Sequence, residues 1–216
     1  MTQFSIAAPE LARLTHNALA FMPARSAVGV CRIEAYVNQV RVTATDLYAA
    51  GRDVADVSSG SQLGASLDLS REDLQTLDKI ARAKKKEEVR IDIRHGDGLS
   101  VMDDNGAWMP FLDASEKRLP ADLWERVDEL LTRLERVSPV IPEALLIDPA
   151  MMAKFAKVKC AGETIADLYI SSPDDPILVK IGPTFRGAIM PVDRAAAAES
   201  EGIRADGLWD VSQAIS

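Results

Sequence analysis

Residues 30–47 read VCRIEAYVNQVRVTATDL. In the second half of this stretch Val40, Val42 and Ala44 alternate with Arg41, Thr43 and Thr45. That is the period of a strand with one buried face. Asn38 lies between Val30–Ala35 and Val40–Thr45, so the whole stretch reads as an antiparallel hairpin. Upstream, Pro9 suits the first turn of a helix running to Met22, with Leu11, Leu14, Ala18 and Leu19 on one face. Pro23 ends it. Downstream, Ser58–Ser61 reads as a loop and Leu63–Leu69 as a strand.

Ser70 and Asp73 form the start signal of a second helix, 70–86, whose apolar stripe is Leu74, Leu77, Ile80 and Ala81. Val89, Ile91 and Ile93 then alternate in a strand. Gly96–Gly98 turns the chain into Leu99–Met102, and Asp103–Gly106 turns it into Ala107–Phe111. Residues 1–112 therefore repeat one order, helix followed by paired strands. This predicts an α+β fold with helices on one face of antiparallel sheets.

Beyond 112, a helix is expected over 121–136, with Leu123, Val127, Leu130, Leu131 and Leu134 as its stripe. Asp148-Pro149 caps a short helix through Val158, with Met151, Met152, Phe155 and Val158 apolar and Lys154 and Lys157 beside them. Strands are expected over Thr164–Ile170, Ile177–Ile181 and Phe185–Val192, joined by Pro173–Pro176 and Gly182-Pro183 turns.

The chain has 216 residues, of which 47% are hydrophobic, enough for a substantial core. Its net charge is -8, which argues against a uniformly basic surface. The charge is segregated, however. The 70–86 helix holds Arg71, Lys79, Arg82, Lys84, Lys85 and Lys86 against Glu72, Asp73 and Asp78, with Lys79, Arg82 and Lys86 in one sector. Residues 149–159 hold Lys154, Lys157 and Lys159 and no acid. Two basic helices in an acidic chain suggest a shared anionic ligand, and lysines contacting phosphate would bind duplex DNA without sequence preference.

Enzyme signatures are missing. No Walker loop, HExxH, GxSxG or metal-spaced Cys/His cluster occurs. His16 and His95 read as surface or satisfied histidines. Asp103–Gly106 lacks calcium-loop spacing and reads as a hairpin turn, and Asp46 and Asp103-Asp104, taken as exposed acids, have no metal-spaced partners. Neither an enzyme nor a cofactor is expected. Cys31 and Cys160 cannot form a disulfide framework, and neither a signal peptide nor a membrane span is expected, so a cytoplasmic setting follows.

The hairpin 31–47 with its Thr-Asp-Leu end resembles the hairpin of replicative DNA sliding clamps. The strand Phe185–Val192, carrying Met190-Pro191, resembles the closing strand of the bacterial polymerase clamp subunit. Leu67–Met102 follows the clamp order of strand, helix, strand and hairpin. The resemblance covers most of 1–112 and about 145–192. It implies two clamp-like domains, 1–112 and a shorter, divergent 113–193, followed by a tail, 194–216. Two domains per chain imply a homotrimer closing a six-domain ring, with subunits joined through edge strands.

The resemblance further implies a processivity factor that surrounds double-stranded DNA and tethers a DNA polymerase. Retention would be topological, so weak contacts suffice. Lys79, Arg82, Lys86, Lys154 and Lys157, with Arg13 secondary, are the residues it implies as DNA-facing. It also implies an apolar cleft for peptides of the polymerase and clamp loader, at Thr45, Asp46, Leu47 and Tyr48 on one wall and Met190, Pro191 and Val192 on the other. The 121–136 helix carries more acid than base, unlike a hole-lining helix. The second domain lacks one strand set, which favours an alternative: an interaction protein on the clamp fold that binds or inhibits replication partners without surrounding DNA. In the tail, Leu208, Val211 and Ile215 have helical spacing with Trp209 adjoining, so the tail is expected to dock on its own chain over the cleft.

Overall fold

A computed structural model describes residues 2–25, 28–57, 59–60, 64–85, 87–94, 98–102, 106, 108–111, 122–142, 145–160, 162 and 165–192. Lys86, His95, Asp103, Asp104, the boundary expected at 112/113 and the tail lie outside them. The described residues form two antiparallel sheets and four helices. The smaller sheet runs β5 (Ser59–Gly60), β1 (Thr2–Ala7), β7 (Glu88–Arg94), β8 (Gly98–Met102), β9 (Trp108–Phe111). The larger runs β10 (Ala166–Tyr169), β11 (Ile177–Ile181), β12 (Phe185–Ile189), β4 (Ala49–Asp56), β3 (Gln39–Thr45), β2 (Val30–Ala35), β6 (Ala65–Ser70).

The hairpin that opens the sequence reading is β2–β3, in register Ile33 to Val42 and Cys31 to Ala44. Three strands, β1, β4 and β5, were missing from that reading. β1 precedes the first helix, and β4 occupies residues to which that reading assigned no element. The inward residues of β4 are Ala49, Gly51, Asp53 and Ala55, too small or too polar to signal a buried strand. The expected Ser58–Ser61 loop contains the short β5.

Helices α1 (Ala8–Ala20) and α2 (Arg71–Lys84) fill the space between the sheets. Ser70 caps α2 as expected, its hydroxyl accepting from the Asp73 amide at 3.1 Å. One core joins Phe4, Ile6, Ile91 and Val101 of the smaller sheet, Leu11, Leu14, Leu74 and Leu77 of the helices, and Ile33, Val42 and Val179 of the larger sheet.

Residues on either side of the expected domain boundary share the larger sheet, because β12 pairs with β4. At the centre of that pairing Gly51 faces Gly187. Three rings fill the space their missing side chains leave. Phe21, at the end of α1, stacks on Phe185 with centroids 5.8 Å apart. Phe155, which ends α4 (Pro149–Phe155), meets Phe21 edge-on at 5.0 Å. A Cβ on Gly51 would lie 2.5 Å from the Phe21 ring, and one on Gly187 would lie 2.6 Å from the Phe155 ring.

Helix α3 (Leu123–Leu134) packs on the opposite face of the larger sheet from α1. Its Leu123, Val127, Leu131 and Leu134 cover Val30, Ala50, Leu178 and Ala188. Each such buried side chain contributes about 1.5–3 kcal/mol. The same face carries a cross-strand row of Arg32, Thr43, Arg52 and Arg186. Here the acids of α3 find their partners. Asp128 pairs with Arg52 and, at 3.2 Å, with Arg41, while Glu135 pairs with Arg186 at 3.3 Å. Burial and the neighbouring Arg41 press the Arg52 pKa down, and Asp128 opposes them. Trp124 Nε1–H donates to Asp68, which also binds Arg32 at 2.8 Å. The acidity of α3 thus complements an arginine-rich sheet face.

Gly51→Ala is expected to push Phe21 out of the three-ring cluster and lower stability by about 1–3 kcal/mol. An exposed Ala83→Gly change in α2 should cost roughly 1 kcal/mol through helix propensity alone. Urea unfolding of both variants checks the comparison, and near-ultraviolet circular dichroism reports the ring displacement.

Candidate functional site

Two surfaces collect the residues singled out by sequence. The first lies on the helical layer. α1 and α2 run antiparallel, and Thr15 donates to Asp78 at 2.9 Å. Asp78 accepts from Arg82 Nε at 2.7 Å. Arg82 Nη2 donates to His16 Nδ1 at 3.3 Å, and His16 Nε2–H donates to the Lys157 carbonyl at 3.0 Å. These partners fix the tautomer, since a carbonyl only accepts and a guanidinium only donates. Burial lowers the His16 pKa, and Lys159 and Arg82 lower it further against the Lys157 carbonyl and Asp78. The ring is therefore neutral near pH 7 and ties α2 to the segment after α4.

Asn17 makes the second tie. Its Nδ2 donates to the Lys159 carbonyl at 2.8 Å and to Asp53 at 2.7 Å, and its Oδ1 accepts from the Lys159 amide at 2.8 Å. The segment 157–159 is thereby stitched along α1. Lys79 and Arg82 from α2, and Lys157 and Lys159 from beyond α4, are all exposed on this layer. Lys159 counts toward the basic charge but is not among the residues expected to face DNA, while His16, read as a surface or satisfied histidine, is satisfied by these two partners. The signal for His16 is the long-range contact with residue 157, which no local pattern carries.

Two candidate cations lie elsewhere. Lys154 is only 8% exposed, and its ammonium is paired with Asp46 and lies 2.9 Å from Met151 Sδ. Arg13 is nearly buried, bound to Asp53 and, at 2.6 Å, to Glu10, and donates to Thr184 and the Val54 carbonyl. Burial works against its charge, but Asp53 and Glu10 outweigh that and raise its pKa. Both cations are structural ion pairs, because the helix faces that carry them turn toward the larger sheet. Lys86 lies outside the described residues.

The second surface is a cavity of about 210 Å³ on the opposite side of the larger sheet. Thr45, Leu47, Tyr48 and Met190 line it, four of the seven residues expected there. The two expected walls meet directly, since the Met190 amide donates to the Tyr48 carbonyl at 3.0 Å. Asp46 shapes the turn instead of lining the cavity. It is 8% exposed rather than an exposed acid, and its Oδ1 accepts from the amides of Tyr48 and Ala49 at 3.2 and 3.0 Å. Leu47 is held there at a positive φ of 81°, a conformation that costs a non-glycine residue on the order of 1–3 kcal/mol. The turn presents Leu47 and Tyr48 outward, 53% and 64% exposed. Pro191 and Val192 lie past the cavity, where the Val192 amide binds the Leu146 carbonyl at 2.9 Å.

The remaining wall is α3, which sequence reasoning had not placed. It supplies Leu123, Arg126, Val127 and Leu130. Leu130 belongs to the same apolar stripe as Leu123, Val127, Leu131 and Leu134, but it is only partly buried there and so lines the cavity. Among the described residues, no group of three or more His, Cys, Asp and Glu could hold a metal ion, and no helix is long and apolar enough to cross a membrane.

No family model and no curated protein matches the chain. Solved structures do. The DNA polymerase III beta subunit of Thermotoga maritima superposes with a TM-score of 0.66 at 14% identity, covering 89% of this chain and 66% of that one. The DnaN sliding clamp of Pseudomonas aeruginosa bound to griselimycin gives 0.65 at 13%, covering 88% and 65%. The sliding clamp of Bacillus subtilis gives 0.62 at 13%, covering 88% and 64%. The chain has the sliding-clamp fold and spans about two thirds of the length of these clamps.

Removing one partner of a buried ion pair strands the other. Lys154→Met is expected to lower stability by about 3 kcal/mol or more, and Asp46→Asn in the same chain to recover most of it. Lys157→Met on the exposed surface should stay within about 0.5 kcal/mol. Urea midpoints of the four chains test this, and a near-neutral Lys154→Met would return Lys154 to the solvent-facing set.

Proposed function

We propose that this chain acts as a DNA sliding clamp. Copies would close into a ring around duplex DNA and tether a DNA polymerase through the apolar cleft. The observation that carries this reading is an exposed surface on which Lys79 and Arg82 of α2 and Lys157 and Lys159 of the segment after α4 stand in solvent, with His16 and Asn17 holding the two basic segments against α1. Lys79, Lys157 and Lys159 offer point charges to phosphates, and the Arg82 guanidinium is already engaged by Asp78 and His16. Contacts of this kind permit sliding, and closure of the ring supplies retention. The arginines of the sheet's other face are largely engaged by the acids of α3, so that side competes little for DNA.

The cleft fits the tethering half of the proposal. It combines an adaptable methionine, exposed Leu47 and Tyr48, and an apolar floor of Ala50 and Ala188. Peptides of a polymerase or of a clamp loader are the occupants this reading assigns. A cytoplasmic replication setting goes with it.

One observation favours a second reading. Residues 149–192 add one helix, α4, and three strands to the larger sheet, whereas the first 111 residues supply two helices and sheets on both sides of them. A chain so asymmetric suits an interaction protein that uses the same cleft without surrounding DNA.

Absolute mass in solution separates the readings. The ring account expects a species near three times the 23.4 kDa chain mass, persisting on dilution through the micromolar range. A monomer throughout that range would overturn it in favour of the second reading.

A further inference from the structure

We infer that the cleft is a binding site for this chain's own segment 206–211, Asp206-Gly207-Leu208-Trp209-Asp210-Val211, folded back in cis. The inference rests on reading the cleft as a peptide site and names its resident occupant. Four observations carry it.

The first is size. At about 210 Å³ the cavity is smaller than the roughly 300–1,000 Å³ usual for small-molecule pockets. It suits one or two inserted side chains. Leu208 and Trp209 are an adjacent pair of that bulk.

The second is position. Met190 lines the cavity, and the chain is fixed two residues later, where the Val192 amide binds the Leu146 carbonyl. Segment 193–216 therefore starts beside the cleft. The stretch 193–207 contains one large apolar residue, Ile203, and can extend roughly 3.3–3.6 Å per residue. It reaches the cavity easily. A tether this short holds its end at an effective concentration in the millimolar range, so even a weak peptide contact is populated.

The third is charge. Asp206 and Asp210 flank Leu208-Trp209. At the cavity, Arg126 of α3 is 72% exposed, and its 2.6 Å pair with Asp122 is a solvent-exposed i,i+4 contact. Such exposed pairs contribute little, so a second carboxylate competes readily for the guanidinium. The fourth is surface chemistry. Leu47, Tyr48 and Met190 leave 41–64% of their surfaces exposed at one rim. Covering them removes apolar area from water, which favours occupancy.

Cis occupancy would make the segment a competitor that any partner peptide must displace. The test uses the full chain, its Trp209→Ala variant and its Leu208→Ala variant, each titrated with a fluorescent peptide copying residues 203–216. Wild type should bind the peptide on the order of tenfold more weakly than either variant, because its cleft is filled. Adding Met190→Lys to Trp209→Ala should abolish binding. Equal affinity for all three chains, or binding to none, would overturn the inference. So would a wild-type cleft that opens to the peptide on dilution to nanomolar chain, which would assign the occupant to a second copy. An unrelated apolar peptide flanked by acids serves as the control for the cleft itself. Binding of that control equally to all three chains, with the 203–216 copy inert, would sink the cis inference while leaving the cleft as a peptide site.

Discussion

Everything distinctive in this molecule depends on the pairing of β4 with β12 over two facing glycines. Gly51 and Gly187 leave a depression in the sheet, and Phe21, Phe155 and Phe185 fill it from three different segments. The pairing carries the larger sheet across the gap between the first 111 residues and the last strands. It also brings Met190 beside Tyr48, which creates the cleft, and it sets Phe155 on Phe21, which places the end of α4 along α1. That placement sets the basic segment 157–159 against His16, whose other ring nitrogen meets Arg82. Both candidate surfaces are consequences of one packed joint.

The electrostatics follow from the same geometry. An acidic chain keeps an exposed basic layer because its acids and arginines are sorted by face. On one face of the larger sheet, Arg41, Arg52 and Arg186 are matched by acids of α3. On the other, Arg13 and Lys154 are consumed by Asp53 and Asp46 inside the protein. Lys79, Lys157 and Lys159 remain exposed, as does Arg82 beside its partner Asp78. A basic residue on a basic helix is therefore no guide to its exposure. Lys154 and Lys157 are three residues apart, and one is buried while the other is exposed.

Local periodicity made the hairpin 30–45, the capped helix α2, the stripe of α3 and the last strands legible, because each buries one regular face. Strand β4 escaped because its inward residues are small or acidic, a pattern explained only once Phe21 and the Arg13–Asp53–Asn17 network occupy the space above it. Thr45, Leu47, Tyr48 and Met190 were legible as cleft residues through resemblance. The α3 wall was not, since nothing local in 123–134 says which side of a sheet a helix covers. The fates of Lys154 and His16 were equally hidden, being set by Asp46 and by residue 157, both more than a hundred positions away.

In the proposed reading, closure around DNA and not the strength of lysine contacts would hold this protein on a duplex. Retention on a circular duplex, followed by a single cut in that duplex, measures it most directly. The account predicts that chain loaded on the circle stays bound at a salt concentration that disrupts phosphate contacts, and that it is released when the circle is cut. Equal retention before and after the cut, or none on either form, would contradict it.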